Sequence, residues 1–257
     1  MAVKRSKKIA ISIVSHKHGM KVKTVLDCIH HFCDAETLDV YVTVNVPERI
    51  FFSPDHYTYP LTVIENNKPK GYGTNNNQAF KLSNSRYFCI INPDIYFDKD
   101  PFPQLLSLFD NEDIGAVVPA VYSPDGRLED NVRELPTPKG LLKKAFQDST
   151  IRYPYSKKNG IQEIECSAGM FMLFRSIVFQ SIKGFNERFF LYYEDFELCL
   201  RLRLNGYRVL WNPGVAVVHE GQRASHREFK HFVWHMSSII RYFSIRKSLE
   251  NRKFSLP

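Results

Sequence analysis

The sequence predicts an α/β domain built on a mostly parallel sheet. Two observations carry that reading: short apolar runs rich in β-branched residues recur along the chain, and segments of helical spacing separate them. Ile9 to Val14 reads as a buried strand, Val22 to Phe32 as a helix and Leu38 to Val46 as a Val-rich alternating strand. Leu61 to Ile64 is a further strand and Asn75 to Leu82 a helix. Tyr87 to Ile91 is a strand that runs directly into Asn92, Pro93 and Asp94. Pro103 to Phe109 reads as helix and Gly115 to Val121 as strand.

Residues 123–162 break the alternation. They are polar, carry Pro124, Pro136, Pro138 and Pro154, and predict a long loop with one short helix near Leu141 to Phe146. Long loops inside compact domains are often functional. Order returns at Cys166 to Phe174. A helix is expected from Glu194 to Gly206, since glycine commonly follows the last turn. Strands follow at Tyr207 to Trp211 and Val215 to Val218, and a basic, aromatic helix from His226 to Lys247 closes the chain. No repeat or linker divides the 257 residues, which suffice for one sizeable core.

A net charge of +8 attracts anions without choosing among nucleotide phosphates, nucleic acid and an acidic membrane surface. The five cysteines form no C-x-x-C pair, and Cys89 and Cys199 sit in apolar runs, so reduced buried thiols are expected rather than disulfides or zinc. Met1 to Lys8 resembles the basic start of a signal peptide. The apolar stretch behind it is too short, and Ser15, His16, Lys17 and His18 follow. No window approaches the roughly 18 apolar residues of a membrane span. The expectation is a cytoplasmic protein.

Four places carry possible chemistry. Asp94 ends a buried strand, where ligands of α/β sheets gather and where a carboxylate suits Mg²⁺ or Mn²⁺; a plain turn accounts for Pro93-Asp94 equally, and Asp98 and Asp100 compete for the role. Glu194-Asp195 opens a helix, where acids are favoured by the dipole, yet either can serve as a general base beside the wall of Phe189, Phe190, Tyr192 and Tyr193. His219 ends an apolar strand and is either a structural histidine or a metal ligand. Lys68-Pro69-Lys70-Gly71-Tyr72-Gly73 precedes a helix start, which suits a phosphate, though no Walker A element is present.

The order of these pieces resembles family 2 glycosyltransferases. Val63-Ile64-Glu65-Asn66-Asn67, Gly71-Tyr72 and Asn77 follow the family's I-x-N-x-G-F…N segment, and Asn92-Pro93-Asp94 is a variant of its D-x-D metal motif. Ser167 to Leu173 resembles the acceptor-side segment. Gly184-Phe185-Asn186-Glu187-Arg188-Phe189-Phe190, Tyr193-Glu194-Asp195 and Leu198-Cys199-Leu200-Arg201 resemble its G-F-D-E-x-F-F…Y-x-E-D…L-C-x-R signature. The likeness spans about residues 9–247. Val14-Ser15-His16, Asn75-Asn76-Asn77, Val132-Arg133 before Pro136, Trp234-His235 and Arg241-Tyr242 are most similar to bacterial O-antigen rhamnosyltransferases; galactofuranosyl and other hexosyl transferases share much of the pattern. Two departures stand out: Val44-Asn45 where the family usually has Asp-Asn, and Asn186 in the G-F-D-E segment.

The resemblance implies a GT-A fold: a Rossmann-like nucleotide-binding half (about 9–122), an acceptor half (about 163–222), a mixed central sheet and a C-terminal helical extension (about 226–257). It implies inversion of the sugar with Asp195 as base and a divalent ion, Mg²⁺ or Mn²⁺, on Asp94 and His219. It further implies a dTDP- or UDP-sugar donor on Ser15, His16, Asn45, Asn67, Lys70, Gly71, Asn77 and Asn92. Arg133, Gly169, Tyr193 and Glu194 fall on the side of a saccharide acceptor, free or lipid-linked. Glu194-Asp195 and the aromatic wall argue against a nucleotidyltransferase, and no recognised fold supports nucleic-acid binding. The last helix carries one apolar stripe, Phe229, Phe232, Val233, Met236, Ile239, Ile240 and Phe243, which is expected to dock mostly on the core. Its basic flanks, Arg223, Arg227, Lys230, Arg241, Arg246, Lys247, Arg252 and Lys253, oppose only Glu220, Glu228 and Glu250 and predict a peripheral site on an anionic membrane surface.

Overall fold

The computed structural model describes residues 8–141, 157–221 and 229–254, with side chains at 8–141, 158–221 and 231–251. Its centre is a nine-stranded mixed sheet. In chain order the strands are β1 (Ile9–Ser15), β2 (Leu38–Val44), β3 (Leu61–Glu65), β4 (Tyr87–Ile91), β5 (Ile95–Tyr96), β6 (Ile114–Tyr122), β7 (Val132–Arg133), β8 (Gln162–Ile164), β9 (Cys166–Ser167), β10 (Phe171–Arg175) and β11 (Arg208–His219). The spatial order is β3-β2-β1-β4-β10-β6-β11-β5, with β8 on β11; β7 and β9 form a separate ribbon.

β3, β2, β1 and β4 are mutually parallel, as the alternation of strands and helices predicts. β10 is the exception that makes the sheet mixed. It lies between β4 and β6 and runs antiparallel to both. The alternation of elements therefore predicts the first half correctly and the second incompletely. Side chains of β4 serve both faces: Tyr87, Cys89 and Ile91 join a core under α1 (Gly19–Phe32) and α3 (Phe102–Leu106), while Phe88 and Ile90 join the opposite one. That second core is covered by α2 (Tyr72–Leu82), α4 (Ser176–Ser181), α5 (Glu194–Leu204) and α6 (Phe229–Phe254). All five cysteines are free, and Cys89, Cys166 and Cys199 are buried.

Several boundaries move. α2 starts at Tyr72, three residues before the expected Asn75, because Asn75 and Asn76 turn inward instead of capping; Ser12 Oγ donates to Asn76 Oδ1 at 2.8 Å. α4 had no clear helical period in the sequence. The two strands expected around Asn212 are one, β11, with a bulge there: Pro213 lacks an N–H, and Asn212 Oδ1 accepts from Gly214 N–H at 3.0 Å. The expected loop begins with a tight return, Ser123 N–H to Arg127 O at 2.8 Å, contains β7 and ends where β8 begins. The helix expected at Leu141 to Phe146 falls mostly outside the described residues; 138–141 are helical.

The stripe expected on the last helix divides. Ile239 and Phe243 pack on the core with Tyr242, whereas Phe232, Val233, Met236 and Ile240 face outward. Ser238 Oγ donates to Leu191 O at 2.9 Å and Arg246 Nη1 to Pro136 O at 2.7 Å, fixing which side is inward.

Glu197 and Arg201 explain part of the signature around α5. They form a buried two-pronged pair, Arg201 Nε to Oε1 at 2.8 Å and Nη2 to Oε2 at 2.7 Å. The same guanidinium donates to the carbonyls of Ile182 and Gly184. It holds the turn that leads into Phe185. Arg201→Met leaves Glu197 buried without its partner, so urea unfolding should show a loss of about 3–5 kcal/mol, largely recovered when Glu197 is also made apolar.

Candidate active site

The site begins where β4 ends. Asn92 N–H donates to Met170 O at 2.8 Å, continuing the ladder to β10 for one more residue. Asp94 then turns the chain into β5, which pairs with the end of β11 and sets His219 opposite Ile95. This pairing brings Asp94 and His219 together across a long separation in sequence: His219 Nε2 lies 3.4 Å from Asp94 Oδ1. His219 Nδ1 is 2.8 Å from Glu129 Oε2, a neighbour the sequence did not point to. Asp98 is exposed, and Asp100 is engaged by the N–H of Phe102 at 2.8 Å, which leaves Asp94 alone of the three in the site.

The pair fits a divalent ion. Asp94 Oδ1 is buried and accepts no well-formed hydrogen bond. Glu129 takes the Nδ1 side of the ring, so the Nε2 lone pair is left for a ligand, the carboxylate–histidine arrangement usual behind metal ligands. Among the described residues no group of three His, Cys, Asp or Glu forms a cage. Two protein ligands plus diphosphate oxygens and water is the coordination Mg²⁺ and Mn²⁺ commonly take beside nucleotides. Burial works to raise the Asp94 carboxyl, but the adjoining His219 ring and its charge, with Lys21, hold it below its ordinary range. Burial lowers His219, and the two carboxylates more than reverse that.

Next to this pair, at the carboxyl ends of β1 and β2, is an open cleft of about 740 Å³ lined by residues 16–21, Glu48, Arg49, Phe51 and Glu220. Glu220 N–H donates to Asp94 O at 2.8 Å, which joins cleft and pair. His16 lines the cleft. Ser15 is buried, and its Oγ accepts from His18 N–H at 3.3 Å. The sequence offers no signal for Lys17, Arg49 and Phe51, which lie in irregular segments with no spacing of their own, or for Lys21, a lone lysine in the first turn of α1.

Asn45 acts as a brace. Its Oδ1 accepts from Lys70 N–H at 2.8 Å and Asn66 Nδ2 at 3.0 Å, and its Nδ2 donates to Lys70 O at 3.0 Å. Asn66 also donates to Asn75 Oδ1 at 2.7 Å. The motif's buried asparagine is thus Asn66, and Asn67 is exposed. Lys70 Nζ donates to Gln78 at 2.6 Å. Gly71 is required by a close approach: a Cβ there would meet Phe189 O at 2.7 Å. Tyr72 N–H donates to Phe190 O at 2.9 Å, so the start of α2 faces the 189–190 segment and not an open phosphate site. Asn77, expected on the donor side, is engaged by its own fold: Nδ2 donates to Phe185 O at 2.9 Å and Glu187 Oε1 at 3.0 Å, and Oδ1 accepts from Phe185 N–H at 2.9 Å.

The other wall is the start of α5. Tyr192 and Tyr193 both have left-handed backbones, φ 70° and 67°, which costs non-glycine residues about 1–3 kcal/mol each. This kink turns Glu194 and Asp195 inward. Asp195 Oδ2 accepts from Gly169 N–H at 3.3 Å and Oδ1 from Phe196 N–H at 2.8 Å. The Tyr72 hydroxyl lies 2.7 Å from Gly169 O and 3.1 Å from Asn92 Oδ1, so a continuous run of contacts joins Asn92 to Asp195. Glu194 is buried with Oε2 unpartnered. Burial raises both carboxyls. The charge of Asp195 raises Glu194 further, while Arg133 and the two N–H groups oppose the rise at Asp195. Arg133 is held by Asp130 O at 2.8 Å. α6 closes this side: Tyr192 Oη is 2.9 Å from His231 Nδ1, and Trp234 lies 4.7 Å from Phe190 between ring centres.

The family described as "Glycosyl transferase family 2" matches residues 51–181, just over half of the chain, and "Glycosyl transferase family group 2" matches 148–237. The chain is 26% identical over 257 residues to "Rhamnosyltransferase WbbL" of Escherichia coli K12, covering 96% of each. It is 25% identical over 169 residues to "N-acetylglucosaminyl-diphospho-decaprenol L-rhamnosyltransferase" of Mycobacterium tuberculosis, covering 62% of this chain and 55% of that one. Among solved structures, a mannosyltransferase from Pyrobaculum calidifontis in complex with GDP-Man and Mn²⁺ superposes with a TM-score of 0.63 at 15% identity, over 97% of this chain and 71% of that one. The fold is that of the GT-A glycosyltransferases.

The geometry around Asn77 separates bracing from binding. Asn77→Ala should lower stability by about 2–4 kcal/mol in urea unfolding, because both Phe185 backbone groups are left buried and unpaired. The KM for donor should stay near wild type; a rise in KM with unchanged stability would return Asn77 to the donor side.

Proposed function

Because the chain belongs to glycosyl transferase family 2, we propose that it transfers a sugar with inversion from a nucleoside diphosphate to a saccharide hydroxyl. L-Rhamnose from dTDP-rhamnose is the first choice of donor, supported by the rhamnosyltransferase relatives. The acceptor is a saccharide on a polyprenyl diphosphate, at the inner face of the cytoplasmic membrane, in O-antigen or other surface polysaccharide synthesis. The mycobacterial relative's own name, with its lipid diphosphate, supports the acceptor class. A UDP-hexose donor, including galactofuranose, is the alternative within the family.

The observation that carries the reading is a pair of carboxylates whose surroundings push them in opposite directions: Asp94 down and Asp195 up. Such divergence suits a ligand that stays ionised and a base that takes up a proton. Asp195 accepts the proton of the acceptor hydroxyl as its oxygen bonds the anomeric carbon. The bond from that carbon to the diphosphate oxygen breaks, and its electron pair leaves with the nucleoside diphosphate. Asp94 and His219 would hold a divalent ion, which would neutralise charge gathering on the diphosphate. Gly169 N–H and Phe196 N–H orient the base. Lys17, Lys21 and Arg49 attract the donor's phosphates.

Two outcomes test the assignments, each read as release of nucleoside diphosphate across a panel of nucleotide sugars. Asp195→Asn should lower kcat by at least about 10²-fold with donor binding little changed. Since Asp195 must be ionised to act and its pKa is raised, kcat/KM should climb with pH along a limb above the ordinary Asp range, and that limb should vanish in the variant. Protein stability should fall as pH rises through the same interval, because the folded state there binds protons the unfolded state has released. In the second test, Glu129→Gln should weaken Mn²⁺ affinity in the presence of nucleoside diphosphate by about 10–100-fold, and Asp94→Ala by more. Full turnover of Asp94→Ala, or of wild type in excess chelator, would remove the metal from the reaction.

A further inference from the structure

α6 presents an apolar strip to solvent. Phe232 is 62% exposed, Val233 45%, Met236 41% and Ile240 67%. At 100° per residue the four fall within about a 100° arc, the width of a working apolar face. The opposite side of the helix is used by Trp234, Ser238 and Tyr242, and Arg246 borders the strip while donating to Pro136 O. The strip is therefore surplus to the core, and it lies on the helix that covers the loop bearing Asp195.

Charge tells what covers it. Residues 223–253 hold eight Lys or Arg and two Glu. Lys247, exposed, continues the strip about two turns beyond Ile240. Arg246 is paired with Glu250, and Arg241 is tied to the Arg188 carbonyl, which leaves the segment strongly positive. Two copies meeting through this face would bring like charges together. A surface of anionic headgroups over acyl chains matches both the apolar strip and the cations beside it. No helix among the described residues is long and apolar enough to cross a membrane, so α6 can lie on such a surface and not through it.

We propose that the outward face of α6 docks the protein on an anionic lipid leaflet, with Phe232, Val233, Met236 and Ile240 entering the headgroup boundary and the flanking Lys and Arg meeting lipid phosphates. The inference rests on the lipid-linked acceptor proposed above, which docking would bring to the loop of residues 189–195.

The test is cosedimentation with vesicles of phosphatidylcholine alone or mixed with phosphatidylglycerol, at low and high salt. Wild type should bind the anionic vesicles, less as salt rises, and bind neutral ones weakly. Changing Phe232, Met236 and Ile240 together to Ser should weaken binding at least about tenfold. Turnover on a short-chain, water-soluble acceptor should stay within about twofold. A second variant, Phe232→Trp, should show a blue-shifted emission when anionic vesicles are added. Equal binding by the triple Ser variant, or no binding by wild type, overturns the docking face. So does a wild-type dimer that the triple variant abolishes without vesicle dependence, which would assign the strip to a second copy. If docking fails while nucleoside diphosphate is still released, the glycosyl-transfer reading stands; vesicle binding without any sugar turnover leaves docking and removes that reading.

Discussion

The Tyr72 hydroxyl sits between Gly169 O and Asn92 Oδ1, and the two walls of the site meet through it. Asn92 belongs to the strand end that carries Asp94. Gly169 belongs to the segment whose N–H holds Asp195. A tyrosine on a helix N-terminus therefore joins two motifs that the chain delivers from opposite ends. The reversal of β10 makes this possible. Had it run parallel, its entry from 166–170 would lie at the other edge of the sheet, away from Asn92. Gly71 serves the same join, since its missing side chain lets α2 begin against Phe189 and Phe190.

Electrostatics then divides the site. On the Asp94 side, two carboxylates and an imidazole exchange charge in a half-buried cluster, which keeps Asp94 ionised. On the Asp195 side, burial outweighs the charge of Arg133 and favours the neutral form. A carboxylate raised in this way takes a proton more readily, while Asp94 stays ionised beside His219. The buried asparagines hold both sides still. Asn45, Asn66 and Asn75 bond to one another and to the Lys70 backbone, fixing the chain after β2 and β3 with amide hydrogen bonds that carry no charge.

Much of this was legible in the sequence where local pattern and topology agree. The runs of β1, β2 and β4 are mostly apolar because both faces are covered, and the strand end at Asp94 followed from that. The resemblance supplied the order of motifs. The antiparallel entry of β10 was not legible, because an apolar strand reads the same in either direction. Asn77 looked like a binding residue because spacing reports neighbourhood and not the direction of an amide. Glu129 lies in a polar loop without periodicity, and only the β11 pairing brings His219 to it. The apolar stripe of the last helix was read as one face; its spacing of three and four is equally that of two adjacent faces, and packing alone decides which is covered.

Two successive tyrosines with left-handed backbones, Tyr192 and Tyr193, stand just before the Glu194–Asp195 turn. Glycine at either position would relax the backbone, yet it would also remove a ring that the core holds: Tyr193 is buried against Phe196 and Tyr242, and Tyr192 meets His231. The rings therefore keep the strained backbone in place. Stability and the aim of the neighbouring carboxylate are coupled with the same sign here, since a chain that lost either ring would lose packing and the kink together.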